Sequence, residues 1–273
     1  PAAMSGTWSR LGAGAALLAL WLGTGTAAGN SWGSPGEWWG ASGESPGPSN
    51  SLDLVATALT GPDSQNITDD AYGLTRSGDP EPTVDSTASS SADCDGCTAD
   101  STLVHVVYLD RSAQATLDNV SAAWSTCRDC RATAIAVQVI VLRAPQSVRA
   151  NNRALAVNAD CERCHAAAAA FQLVVASDRW DRLSRAELDE LRRWAAEQAA
   201  ALQGDPSGAA ASPVRDQDRT QAALDQLEAL VSEELDGSVT VDRDVDVEIA
   251  TPNPAMPTPG PVAGQAGMPV TVA

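Results

Sequence analysis

Six cysteines stand in three C-x-x-C pairs: Cys94 and Cys97, Cys127 and Cys130, Cys161 and Cys164. Four chemistries use such pairs. Oxidised, they are disulfide staples, and an even, regularly spaced set in an exported chain favours this use. Fifteen pairings are open: a bridge inside each C-x-x-C closes only a small loop, whereas bridges between copies, for instance Cys130 to Cys161, would stabilise more. Reduced, a C-x-x-C in the first turn of a helix supports thiol–disulfide exchange, because the helix dipole favours thiolate. Two pairs together make a tetrahedral zinc site, although a third pair is then left over. Finally, Cys161-Glu162-Arg163-Cys164-His165 spells the c-type haem attachment pattern, with Cys161, Cys164 and His165 as its residues and His105, Met256 or Met268 as the distal choices. The residue after the pair is Thr98 in the first copy and Arg131 in the second, so His165 reads as a substitution at a variable position. Staples, with the pairing open, are the preferred reading, and no metal site is assigned.

The pairs recur every 33 and then 34 residues and carry their surroundings with them, which marks an internal repeat. CRDCRATAIAVQVIVL laid over CERCHAAAAAFQLVVA puts Gln138 on Gln172, Val137 on Phe171, and Ile140 and Val141 on Val174 and Val175. In CDGCTADSTLVHVVYL, His105 takes the glutamine position, and a lone histidine replacing glutamine in an apolar run reads as a satisfied core group rather than a base.

The elements that must position these residues are read as follows. Asp93, Thr126 and Asp160 precede the pairs as N-cap types, and the alanine-rich continuation favours helix, so a helix starting at each C-x-x-C is expected, with buried strands over VQVIVL and FQLVV as the alternative. Ser184 with Glu187 makes a capping box for a helix that stops at Gly204, with Leu188, Leu191, Trp194, Ala195 and Leu202 on its apolar side. A further acidic stripe, Leu224, Leu227, Leu230, Val231 and Leu235, reads as a helix folded back on the repeats, and Val239 to Ile249 alternates with Asp as an edge strand or charged arm. The fold class expected is mainly α, a three-copy module with long disordered flanks; α+β, with short strands after each C-x-x-C, is the alternative.

Of 273 residues, 44% are hydrophobic, but 50 are alanine, so the core must be thin. Arginine supplies every one of the 17 basic residues against 35 acidic ones, and the net charge of -18 excludes a nucleic-acid partner. The basic cluster Arg179, Arg182, Arg185, Arg192 and Arg193 is matched to the chain's own Glu233, Glu234, Asp242, Asp244 and Asp246. Residues 1–28 read as a signal peptide: Arg10, an apolar run from Leu11 to Leu22, then Thr26, Ala27 and Ala28. No second apolar run spans a membrane. Residues 29–93 are rich in Gly, Ser and Pro and read as disordered, with an apolar island at 52–59 and the exposed rings of Trp32, Trp38 and Trp39. Residues 94–203 form the repeat domain, and 204–273 the linker, acidic helix, extended strand and Pro-rich tail. Neither the helical H-E-x-x-H zinc motif, G-x-S-x-G nor a phosphate loop is present, and no catalytic residue is assigned.

The succession of C-x-x-C, small residues, aromatic-Gln-Val-Val, an Asn/Ala-rich connection (NNRALAVNAD), a further C-x-x-C and an Arg/Glu helix resembles exported C-x-x-C-repeat segments of high-GC Gram-positive, actinobacterial proteins, some of them labelled peptide zinc metalloproteases. The resemblance covers residues 94–203 and rests on Cys127, Cys130, Gln138, Cys161, Cys164, Phe171 and Gln172. It implies an extracellular cysteine-stapled module without transferring any catalytic residue. The expected protein is therefore secreted or envelope-associated, structural or binding in role, with an unknown extracellular or envelope partner and no cofactor. A thiol–disulfide redox protein and a c-type haem protein are the alternatives, with zinc as the other cofactor choice.

Overall fold

A computed structural model describes residues 40–41, 51–61, 63–110, 114–143, 147–159, 161–177, 182–203, 213–235 and 238–250. Residues 1–28, Trp32, Trp38, Trp39, Asp160, Arg179, Gly204 and the Pro-rich tail lie outside them. The expectation of a mainly α fold is overturned. The chain is a parallel β-solenoid of four turns, with two helices among the described residues.

Each turn is one strand in a four-stranded sheet followed by one in a six-stranded sheet. The turns are β2 (Ser51–Leu59) with β3 (Asn66–Ser77), β4 (Thr83–Ala92) with β5 (Thr98–Asp110), β6 (Ala115–Ser125) with β7 (Arg131–Arg143), and β8 (Val148–Asn158) with β9 (His165–Ala176). The smaller sheet runs β2-β4-β6-β8 and the larger β1-β3-β5-β7-β9-β10, with β1 at Gly40–Ala41 and β10 at Val239–Ala250. Successive turns pair in parallel; β10 returns antiparallel to β9.

The sequence repeat and the spatial repeat coincide. Gln138 pairs in register with Gln172 and with His105, Val137 with Phe171, and Ile140 with Val174, as the sequence alignment placed them. What changes is the backbone. β5, β7 and β9 are buried on both faces, and a strand with no solvent side loses its two-residue alternation and reads as a continuous apolar run. HAAAAAF, a good helix former in isolation, is held as a strand: it pairs in parallel with Arg131–Val137, and Ala166 and Ala168 are buried in one cluster with Ala132, Ala134 and Ala136. The C-x-x-C segments are not helix starts either. Gly96, Asp129 and Arg163, third in each pair, have positive φ of 74°, 56° and 56°, and the Cys97 amide donates to the Cys94 carbonyl at 2.9 Å, so each pair spans a tight turn.

The segment 29–93, read as disordered, contains β2, β3 and β4, so the solenoid begins well before Cys94. Its first turn carries Gly61 and Ser64, joined by a bridge, at the places of the cysteines 33 residues later. The missed signal was upstream of each pair: Asp53, Asp85, Asp118 and Asn151 recur at 32, 33 and 33 residues and lie in one row.

Helix α1 (Arg185–Leu202) starts at Ser184, whose hydroxyl accepts the Glu187 amide, and α2 (Pro213–Glu234) carries the acidic stripe. Both lie on the outer face of the larger sheet. Leu188, Leu191 and Trp194, with Leu224, Leu227 and Val231, cover Val104, Val137, Phe171 and Leu173, and the rings of Phe171 and Trp194 meet edge-on at 5.1 Å.

Among the described residues Arg243 of β10 pairs with Asp225 and Glu228 of α2, and Arg193 pairs with Glu190 of its own helix. The Asp246 carboxylate accepts the Ala154 amide at 2.8 Å, that of Glu248 accepts the Ala156 amide at 3.3 Å, and Asn158 donates to the Ala250 carbonyl at 2.9 Å. These groups cover the outermost strand of the smaller sheet, where free amides would otherwise template another chain. Deleting residues 238–250 should therefore lower the melting temperature at high salt as well as low and produce soluble oligomers by light scattering. A monomeric, equally stable deletion would refute the edge-capping role.

Candidate functional site

Five of the six cysteines are buried and Cys94 is partly so. They pair within each turn, Cys94–Cys97, Cys127–Cys130 and Cys161–Cys164, with Cα separations of 5.3, 5.9 and 5.8 Å. The three bridges stack at one corner, where the chain passes from the smaller sheet to the larger. Oxidised sulfur has no proton to donate, so its short contacts are packing: Cys94 Sγ lies 3.4 Å from the Gly61 carbonyl, Cys130 Sγ 3.3 Å from that of Cys94, and Cys161 Sγ 2.8 Å from that of Cys127. Outside this stack runs a ladder of charges. Arg128 bonds Asp95 at 3.0 Å and Arg163 bonds Asp129, and these bonds hold both carboxyls below their ordinary range. His165, third member of the haem pattern, points its Nε2 at the Leu202 carbonyl, 2.8 Å away, and so ties the fourth turn to the end of α1.

The interior holds a polar band that the sequence only hinted at. On the larger sheet the inward row is Gly73, His105, Gln138, Gln172; facing it on the smaller sheet is Leu54, Ser86, Asn119, Asn152. Gln172 Nε2 donates to Gln138 Oε1 at 2.7 Å, and Gln138 Nε2 donates to Ser86 Oγ at 2.8 Å. Ser86 Oγ lies 3.0 Å from His105 Nδ1, and His105 Nε2 lies 3.1 Å from Thr75 Oγ1. With the proton assigned to Nε2, Ser86 donates to the ring and the ring donates to Thr75, so both ring nitrogens are used. Asn119 donates to Asn152 Oδ1 at 2.8 Å and to the Phe171 carbonyl at 3.0 Å. The band ends at the first turn: a Cβ on Gly73 would stand 2.8 Å from a Leu54 methyl and 3.3 Å from the His105 ring, so glycine makes room for both. His105 is the satisfied core histidine expected from its place in the repeat. Asn119, within an Asn-x-Ser triplet, is fully buried.

Two surfaces remain. Among the described residues no helix packs on the outer face of the smaller sheet, which shows the repeat as rows: Asp53, Asp85, Asp118 and Asn151 in one, Leu59, Ser91, Trp124 and Val157 in another. Asp118 accepts bonds from Asn151 and Arg153, both at 2.8 Å, while burial and the neighbouring Asp53 and Asp118 raise the carboxyl of Asp85. The second is a cleft of about 230 Å³ at the far ends of the larger sheet's strands, lined among others by Arg76, Tyr108, Asp110, Arg143, Ser177 and Arg182. Among the described residues no three His, Cys, Asp or Glu side chains converge as a metal site, and no helix is long and apolar enough to cross a membrane. No family model, curated protein or solved structure matches the chain.

Burial lowers the pKa of His105 from 6.5 to about 4. Between those values the unfolded chain takes a proton that the folded one refuses, so this group removes stability as pH falls, by up to about 3 kcal/mol at roughly 1.36 kcal/mol per unit. Asp70, Asp85 and Asp100, raised chiefly by burial, act in the opposite sense, so the comparison must be with a variant. His105→Gln extends the glutamine row and should be more resistant to urea, relative to the parent, at pH 4 than at pH 7. An unchanged difference across that range would show that His105 does not stay neutral in the core.

Proposed function

We propose that the chain is an exported structural and binding module of the cell exterior or envelope, of the actinobacterial type that its cysteine pattern resembles. The observation that carries this reading is the stack of three disulfides at one corner of successive turns, which persists only in an oxidising compartment. Triplication adds support, because an architecture tolerates copies whereas a catalytic centre needs one. The burial of the sulfurs favours staples over exchange, since exchange needs a thiolate that can be reached. The bond from His165 to the Leu202 carbonyl gives that residue a packing role and favours staples over haem attachment. One sheet face is spent on the helices; the other, with its rows of Asp, Thr, Val and Trp, is the surface left for an extracellular or envelope partner.

Secretion from an actinobacterial host tests the reading. Protein recovered from the medium should begin at Gly29 and, in non-reducing peptide mapping, give three bridges, each within one C-x-x-C. Six free thiols in the secreted protein, or retention of the whole chain in the cytosol, would sink it.

A further inference from the structure

The cleft at the far ends of β3, β5 and β7 gathers positive charge in a chain whose net charge is -18. Among the described residues three arginines line it, Arg76 at the end of β3, Arg143 at the end of β7 and Arg182 just before α1, against one lining carboxylate, Asp110. Asp110 stands 3.8 Å from Arg143 and offsets that charge. Arg76 and Arg182 repel each other: burial and the Arg182 charge both lower the Arg76 pKa. The Arg76 guanidinium is carried on the face of the Tyr108 ring, 5.6 Å from its centroid, which orients the cation without neutralising it. Tyr108 is itself fixed, because its hydroxyl oxygen accepts the Leu183 amide at 2.9 Å, an arrangement that leaves the phenolic proton available for a further acceptor. Glu234 of α2 is an acid near enough to raise the Tyr108 pKa.

We propose that this cleft binds a small multivalent oxyanion, a phosphoryl or polycarboxylate group, held by Arg76 and Arg182 with Tyr108 as a hydroxyl donor. Planar guanidinium forks match the oxygens of both groups, and an oxyanion between them relieves the repulsion that the empty arrangement carries. The volume of about 230 Å³ equals that of roughly eight waters at about 30 Å³ each, which suits a phosphate monoester or a compact tricarboxylate. The two arginines come from elements far apart in the chain, β3 in the first turn and the approach to α1 after the fourth, so the cleft exists only when the solenoid is complete. The proposal stands independently of export, since it rests on the cleft alone.

Calorimetric titration of the oxidised full chain with inorganic phosphate and, separately, with citrate tests it. Saturable one-to-one binding is expected at low ionic strength, weaker at high salt, with a matching rise in melting temperature. Arg76→Gln and Arg182→Gln should each weaken it about tenfold or more, Tyr108→Phe should weaken it less, and Arg149→Gln on the opposite sheet should leave it unchanged. Tighter phosphate identifies a phosphoryl ligand and tighter citrate a polycarboxylate. Absence of binding by both anions at millimolar concentration, or equal loss in Arg149→Gln, would overturn the proposal.

Discussion

The solenoid depends on one constraint: every turn must stack on the last without a slip in register. Parallel strands alone specify register weakly, since backbone bonds form equally well two residues along. The interior polar band removes that freedom. Gln172 reaches Gln138, Gln138 reaches Ser86, and Asn119 reaches Asn152, all between the sheets, where an unpaired amide costs about 1 to 3 kcal/mol. A two-residue slip would set an amide opposite Ala136 or Ile140 and leave several of them unpaired together. The bands on either side are apolar: small alanines toward the cysteine corner, and Val84, Leu109, Leu117, Ile140 and Leu142 toward the other end. The interior is thus graded in side-chain size, small at the disulfides and larger toward the cleft.

That gradient explains the cysteines. Near the corner the buried side chains are mostly alanine and cysteine, so burial there yields little hydrophobic stabilisation per residue. A bridge within each four-residue turn contributes about 2 kcal/mol on loop-closure arithmetic, and it holds the positive φ of Asp129 and Arg163, a conformation costly for residues other than glycine. In the first turn, Gly61 and Ser64 make the same reversal without sulfur.

Open ends are the other hazard of a solenoid, and both ends of the smaller sheet are managed with carboxylates. Asp69 accepts the Thr57 amide at 2.6 Å on the outermost strand of the first turn, and Asp246 and Glu248 do the same for β8. The acidic composition of the C-terminal strand is therefore in part a capping device. Much of the remaining negative charge is carried outward, leaving the arginine-lined cleft as a local reversal of sign.

Read alone, the sequence determined the period, the alignment of copies, the buried role of His105, the Ser184 N-cap and the apolar stripes of both helices, because each is a statement about which residues occupy equivalent or same-face positions. Tertiary structure decided the backbone of the repeat. A run such as HAAAAAFQLVV is compatible with helix or with a strand buried on both faces, and only the partner strands on each side and helices above it select the second. The first turn of the solenoid is not marked by cysteine, because glycine and serine stand at the places of the pair, although Asp53 and Asp85 keep its spacing. The cleft was beyond any local reading: Arg76 and Arg182 are more than a hundred residues apart, and four stacked turns bring them together.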